Sequence, residues 1–351
     1  MTTPCHDFAR RRVYNGINQT KASMPERNPM RVIHRRNPLA SSSLMGSKRK
    51  KALLLASMAA PGAIWLLLLR YLPMFGIVLA FKDYRAFKPN TFWNNIVKSE
   101  WVGLKNFEFL FKSPDTGVMI RNTLLYNIVF IMLGLVIAVA FAIMLSELTH
   151  RFAAKFYQTT MFFPYFLSWV VASYFLLAFL DGTSGMIPNL QKMAGQEAIN
   201  WYHEPNRWPL IIIGANLWKN IGYSTVLYLA AITGIDRTLY EAAAVDGATK
   251  WQQIRHVLLP NLRIMIIILF ILNVGKIFNA DFGLFYNVPL NSGSLYPTTQ
   301  VIDTYVYRSY INTGSVGMSS AAGLLQNVVG FLCILITNGV VRRLEPDSAL
   351  F

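Results

Sequence analysis

The chain has 351 residues, of which 54% are hydrophobic and only 14% are charged, and its mean hydropathy is positive at +0.36. Soluble domains carry roughly a quarter charged residues, so this composition argues against a soluble enzyme. The apolar content excludes a disordered chain. Two cysteines, Cys5 in a polar tail and Cys333 in an apolar run, exclude a disulfide scaffold. The length fits one membrane domain with several spans or two soluble domains.

The net charge of +16 is concentrated at the N-terminus, where residues 1–51 hold twelve Lys and Arg against two acidic residues. This segment has no apolar period, so we predict a disordered, basic cytoplasmic tail, and an orientation signal is favoured over nucleic-acid binding. A cleaved signal peptide is not expected, because the first apolar run begins near Ala52 and no small-residue cleavage site follows it. We expect a chain that begins at Met45, a candidate natural start, to insert in the membrane and function normally.

Six apolar stretches approach or reach the roughly 20 residues that are needed to cross a bilayer. They are residues 52–81, 123–145, 157–180, 209–233, 262–285 and 317–341. We therefore predict an all-α membrane protein with about six transmembrane helices in one domain, 52–341, and a cytoplasmic C-terminal tail, 342–351. Aromatic residues in segment 82–122 indicate short interfacial helices on the external side.

The distribution of positive charge predicts how these spans are oriented. With six spans, the tail, the loops 147–156 and 234–263 and the C-terminus share one side, which holds 20 Lys and Arg, whereas the other three loops hold 10. Because positively charged loops stay on the cytoplasmic side, we predict a multi-pass inner-membrane protein with both termini in the cytoplasm.

The loop 235–260, between the fourth and fifth spans, contains signals for two short helices. Asp236 is a good N-cap, and the alanines that follow favour a helix. Gly247 can end this helix in a left-handed turn, and Thr249 begins a capping box for a second helix. Pro260 either ends the second helix or opens the next span. We predict an exposed helix, glycine turn and helix that lie parallel to the membrane.

The same loop resembles the EAA loop of binding-protein-dependent ABC importer permeases. The residues that carry the resemblance are Glu241, Ala242, Ala243, Asp246, Gly247 and Pro260. One departure is Val257, where isoleucine is common. In that family the loop is the cytoplasmic coupling helix that docks into a cleft of an ATPase subunit, so the resemblance implies that these six residues serve ATPase coupling. The alternative is that Glu241 and Asp246 only cap helices or pair with basic residues.

Further segments are similar to sugar permeases of the polysaccharide type, including alginate importers. They are residues 71–77, 80–84, 163–169, 281–286 and 347–351. The resemblance covers roughly residues 50–351, and it implies four kinds of partner. These are a second permease, expected to be a different chain, two cytoplasmic ATPase subunits, an external or periplasmic solute-binding protein and membrane lipid. No nucleic acid is expected.

We do not expect this chain to be an enzyme itself or to bind a cofactor or metal. Its Gly275-Lys276 pair lacks the preceding glycine and the following Ser or Thr of a phosphate-binding loop. ATP and Mg are therefore expected on the partner ATPase, whose closure would push the coupling helix and rock the spans between inward and outward states.

Polar residues inside the spans indicate a substrate path, because a charge in the bilayer usually faces a bundle interior or a cavity. The predicted path residues are Asn216, Lys219, Asn220, Tyr223, Asn273, Lys276 and Asp281. The charged residues inside the spans are three cations, Lys219, Lys276 and Arg70 near the outer end of its span, and one anion, Asp281. An anionic oligosaccharide such as a uronate oligomer is therefore the expected substrate. Interhelical ion pairing of the same charges remains an alternative. On a continuous helix, Lys276 and Asp281 would lie about 140° apart.

Two other classes of function compete with the importer. An ion-coupled secondary sugar transporter usually shows internal repeats and carboxylates along its path, and this sequence shows neither a repeat nor more than one clear intramembrane acid. A membrane enzyme would need clustered acids or histidines, whereas the five histidines are scattered.

Overall fold

The structure is a computed structural model and describes residues 38–84, 92–346 and 349–350. Most of the predicted basic tail lies outside the described residues, as does most of the C-terminal segment 347–351. The chain divides after Leu66 into two compact units, and each is described by itself.

Within these ranges the secondary structure is almost entirely helical. The α-helices are α1 Pro38–Leu66, α2 Phe92–Lys98, α3 Phe109–Lys112, α4 Thr116–Ser146, α5 Arg151–Phe162, α6 Trp169–Leu180, α7 Met186–Met193, α8 Trp208–Thr233, α9 Arg237–Val245, α10 Lys250–Gln253, α11 Leu259–Val274, α12 Phe282–Asn287, α13 Tyr296–Thr299, α14 Ile302–Thr313 and α15 Val316–Leu344. A short antiparallel pair joins β1 Lys82–Asp83 to β2 Glu100–Trp101. Helix α1, in the first unit, begins at Pro38, before the predicted start of the first span.

The described helices confirm the all-α membrane fold. Four helical stretches are long and apolar enough to cross a membrane: Lys51–Phe81, Thr116–Ser146, Lys250–Val274 and Val316–Leu344. A bent pair of helices raises this number to five if the pair counts as one span. Helix α8 has 26 residues, but the polar side chains in its middle lower its hydropathy. The expected external segment contains the short helices α2 and α3.

The predicted third span, 157–180, is not a single helix. Its chain bends by 99° between Arg151–Phe166 and Trp169–Leu180. Pro164 cannot donate an amide hydrogen bond, and the turn around it is a 3-10 helix. Ser168 then caps α6 by accepting a hydrogen bond from a backbone amide. The prediction of one continuous helix is therefore wrong here, because proline and serine together end one helix and begin another.

The predicted fifth span, 262–285, is also interrupted. Helix α11 ends at Val274, residues 275–281 are not helical, and the side chain of Asp281 caps α12. Lys276 and Asp281 therefore do not lie on one helix, and the angle expected between them on a continuous helix does not apply. We refer to residues 275–281 as the break.

The second unit is organised around the packing of α4 against α8. Two buried apolar clusters lie along this pair. One joins α4 and α8 to α12 and contains Tyr126, Leu180, Trp208, Ile212, Leu284 and Phe285. The other joins them to the start of α11 and contains Ala138, Ala142, Tyr228, Ile232, Leu258 and Leu262. Between the two clusters, α8 carries polar side chains such as Asn216, Asn220 and Tyr223, whereas α4 is apolar apart from Asn127.

Close contact between α8 and α5 depends on Gly222, because a Cβ at this position would overlap the carbonyl oxygen of Met161. We expect Gly222→Ala to lower stability by about 1–3 kcal/mol, since the neighbouring backbone has to move. The matched control is Gly214→Ala in the same helix, where a Cβ has open space and alanine favours the helix. Thermal unfolding of the detergent-purified complex measures both, and equal midpoints for the two variants would contradict this packing.

Candidate functional site

A cavity of about 660 Å³ lies among α4, α8, the end of α11 and the break. Six of the seven predicted path residues line it: Asn216, Asn220, Tyr223, Asn273, Lys276 and Asp281. Asn127 and Asn279, which are also polar, line the same cavity. The structure thus brings residues from two predicted spans to one polar surface.

Lys219 is the predicted path residue that does not line the cavity. Its side chain is buried at 8% exposure, and its Nζ donates a hydrogen bond of 2.8 Å to the carbonyl oxygen of Tyr165. The same nitrogen lies 5.5 Å from the Tyr165 ring centroid and 5.4 Å from that of Trp169. Lys219 therefore contacts the bend between α5 and α6, where aromatic rings and a carbonyl oxygen surround its charge.

Lys276 and Asp281 are both exposed at the cavity. The Asp281 carboxylate accepts a hydrogen bond of 2.6 Å from Trp169 Nε1 and one of 3.3 Å from the backbone amide of Leu284. Among the described residues, no carboxylate lies within 4.0 Å of the Lys276 or Lys219 ammonium group. Lys276 therefore lines the cavity without an ion-pair partner among the described residues.

Tyr223, which lines the cavity, stacks on two aromatic rings behind it. Tyr223 stacks on Tyr165, with ring centroids 4.7 Å apart and an interplanar angle of 11°, and on Phe162 at 6.3 Å and 21°. Such a flat surface suits the apolar face of a sugar ring. Trp218 and Arg70 are exposed and do not line the cavity.

Three polar residues that sequence analysis did not single out hold the break. Asn127 Nδ2 donates to the carbonyl oxygens of Ile277 at 2.8 Å and Asn279 at 3.2 Å. Gln326 Nε2 donates to the carbonyl oxygen of Phe278 at 2.8 Å. The available signal was the presence of amide side chains inside the apolar stretches of α4 and α15.

The third of these residues, Asp303 in α14, joins the same network. Its Oδ2 accepts hydrogen bonds from the backbone amide of Ala280 at 2.8 Å and from Gln326 Nε2 at 3.1 Å. The backbone of the break is therefore bound by side chains from α4, α14 and α15.

The loop 235–260 has the predicted helix, glycine turn and helix. Asp236 caps α9 by accepting a hydrogen bond of 3.0 Å from the Thr238 amide, which holds the pKa of the Asp236 carboxyl below its usual value. Gly247 has φ +78°, in the left-handed region. The capping box that begins at Thr249 is present. The chain continues as a helix through a π-helical turn, after which Pro260 opens α11.

The residues of this loop that resemble the EAA signature are accessible. Glu241, Ala242, Asp246, Gly247 and Pro260 are exposed, and Ala243 is half-buried. Two apolar side chains beside them are also exposed, Val245 at 88% and Trp251 at 69%. Such a surface of mixed apolar and acidic groups on a short helix is suited to a protein partner.

The loop is tied to the helices beneath it. Lys250 pairs with Glu147, at the end of α4, across 3.2 Å. Gln253 is buried and donates to the carbonyl oxygen of Ala248. Tyr240 packs against the second apolar cluster, and burial raises the pKa of its hydroxyl. The loop is therefore attached to the end of α4 and to the second apolar cluster.

A family model described as "Binding-protein-dependent transport system inner membrane component" matches residues 131–348. The match covers α8, the exposed loop, α11 and the break. The chain belongs to this family. The resemblance to binding-protein-dependent ABC importer permeases is therefore confirmed.

Relatives in the permease family match most of the chain. The polygalacturonan/rhamnogalacturonan transport system permease protein YteP of Bacillus subtilis (strain 168) is 33% identical over 329 residues, 91% of this chain and 99% of the relative. Protein LplB of the same organism is 33% identical over 289 residues, 82% of this chain and 88% of the relative. The sn-glycerol-3-phosphate permease UgpA of Yersinia enterocolitica is 27% identical over 280 residues, 77% of this chain and 90% of the relative.

Solved structures show the same permease fold. A bacterial ABC transporter involved in the import of the acidic polysaccharide alginate matches with a TM-score of 0.74 and 30% identity, covering 86% of this chain and 99% of that one. A bacterial alginate ABC transporter in complex with an alginate pentasaccharide-bound periplasmic protein matches with a TM-score of 0.73 and 30% identity, covering 85% and 97%.

Proposed function

We propose that this chain is the permease subunit of an ATP-driven ABC importer for an anionic oligo- or polysaccharide, with uronate oligomers of the alginate type as the substrate class. The observation that carries the proposal is the polar cavity, which Lys276 lines with no carboxylate within 4.0 Å of its ammonium group among the described residues. In a low-dielectric path such a cation attracts a carboxylate more strongly than it would in water.

The rest of the cavity suits a sugar. Amide side chains supply donors and acceptors for hydroxyl groups, and the Tyr223 stack supplies a flat face. The relatives agree with this chemistry, since one transports polygalacturonan or rhamnogalacturonan and another the acidic polysaccharide alginate, as their names state.

The exposed loop is the proposed site of energy coupling. Glu241, Ala242, Ala243, Asp246, Gly247 and Pro260 would meet the cleft of a cytoplasmic ATPase, which binds ATP and Mg, while this chain binds no cofactor. The stretch Lys250–Val274 is one helix of 25 residues, about 37 Å long. Because it leads from the loop to the break, a push on the loop reaches Lys276 through a rigid element.

The proposed assembly contains this chain, a second and different permease, two ATPase subunits and a periplasmic solute-binding protein. Both termini of this chain would lie in the cytoplasm, in agreement with the excess of positive charge on that side. The binding protein would deliver the sugar at the end opposite to the exposed loop.

The test is uptake by the complete complex in proteoliposomes. We expect labelled uronate oligosaccharide to accumulate only when the binding protein is outside and ATP is inside. An ion or proton gradient without ATP should drive no uptake of the oligosaccharide. Uptake driven by the gradient alone would favour the ion-coupled secondary transporter instead.

A further inference from the structure

The cavity receives two opposite charges from residues that a continuous helix would separate. Residues five apart on an α-helix lie about 140° apart around its axis, so only one of Lys276 and Asp281 would face a given cavity. Both line it in this structure because α11 stops before Lys276 and α12 begins after Asp281. The non-helical break thus has a definite effect on the site.

A break inside an apolar span leaves backbone groups without their helical partners, which is costly unless neighbouring groups bind them. The carbonyl oxygens of Ile277, Phe278 and Asn279 accept hydrogen bonds from amide side chains, and the amide of Ala280 donates to a carboxylate. These four consecutive residues form the middle of the break.

We propose that Asn127, Gln326 and Asp303 are positioning residues that keep the break non-helical and thereby present Lys276 and Asp281 to the cavity together. They come from three helices, and their side-chain hydrogen bonds are made to the break or to each other. Without them, the unpaired carbonyl groups are best satisfied by extension of α11, which turns one of the two charges away. The consequence for transport rests on the proposed function, in which the cavity is the sugar path.

The position of residue 276 can be measured without any sugar. In the complete complex with Cys5→Ser and Cys333→Ser, Lys276→Cys serves as a reporter for a charged, membrane-impermeant thiol reagent. We expect Asn127→Leu or Gln326→Leu to slow labelling about tenfold, the effect of losing roughly one net hydrogen bond. The matched control is Asn327→Leu, whose amide bonds only within its own helix, to the Gly323 carbonyl oxygen.

Recovery of intact complex on size-exclusion chromatography shows that each variant has folded. Labelling rates within twofold of the parent in both Asn127→Leu and Gln326→Leu overturn the positioning role. Slower labelling in both, with Asn327→Leu unchanged, supports it.

Uptake by the same variants that retain Lys276 separates this inference from the proposed function. We expect the KM for a uronate oligosaccharide to rise about tenfold, with a smaller change in the maximal rate. Slower labelling together with unchanged uptake would uphold the positioning role and reject the cavity as the sugar path.

Discussion

Gly247→Pro and Glu241→Lys are expected to reduce sugar uptake to background while the chain still inserts in the membrane. Proline fixes φ near −65°, whereas residue 247 has φ +78° and its amide donates to the carbonyl oxygen of Ala244. Proline therefore distorts the end of α9. The second change reverses a charge on the exposed face of that helix. Copurification of the ATPase and uptake in vesicles measure both effects, and we expect at least about a tenfold loss of ATPase binding, equivalent to roughly 1.4 kcal/mol.

The chain offers matched controls for these two variants. Gly195 also has a positive φ of +71° and follows a short helix, and Glu197 is an exposed acid nearby. Gly195→Pro and Glu197→Lys make the same chemical changes far from the loop in sequence, so they should retain ATPase binding. If both loop variants transport normally, the assignment of the coupling helix is wrong.

Lys276→Gln is expected to raise the KM for a uronate oligosaccharide by about 10- to 100-fold and to leave that for a neutral one of equal length nearly unchanged. At an effective dielectric constant of 20, an ammonium and a carboxylate 4 Å apart attract each other by about 4 kcal/mol, and part of this is lost to desolvation. Glutamine keeps polarity and approximate length but removes the charge. Initial uptake rates over a range of sugar concentrations give the two constants.

Lys219→Gln is the informative comparison, because Lys219 is buried against Tyr165 and Trp169 and does not line the cavity. Its loss should affect both sugars alike, through altered packing of the bend. An equal KM change for charged and neutral sugars in Lys276→Gln would remove the electrostatic basis of the proposed specificity.

The exposed loop was predictable from sequence because its signals are local. A capping aspartate at 236, a glycine that takes positive φ at 247 and a capping box at 249 each act within about four residues. The structure has all three. The membrane-capable stretches were predictable for a similar reason, since hydropathy adds up along a contiguous segment.

The break was not predictable in the same way, because its stability comes from distant residues. Asn127 and Gln326 lie far along the chain from the carbonyl groups that they bind, and hydropathy averaging treats the break as part of a span. The position of the Lys219 side chain was not predictable either, because it depends on a contact with Tyr165, which is distant in sequence. Its polar sequence neighbours Asn216 and Asn220 line the cavity, whereas Lys219 does not.

The most direct measurement of the central claim is the ATPase activity of the purified complex with its binding protein, loaded with uronate or with neutral oligosaccharides of equal length. An anion-selective importer predicts strong stimulation by the uronate-loaded protein, little by the neutral one, and loss of the difference in Lys276→Gln. Equal stimulation by both sugars, unchanged in Lys276→Gln, would contradict the account.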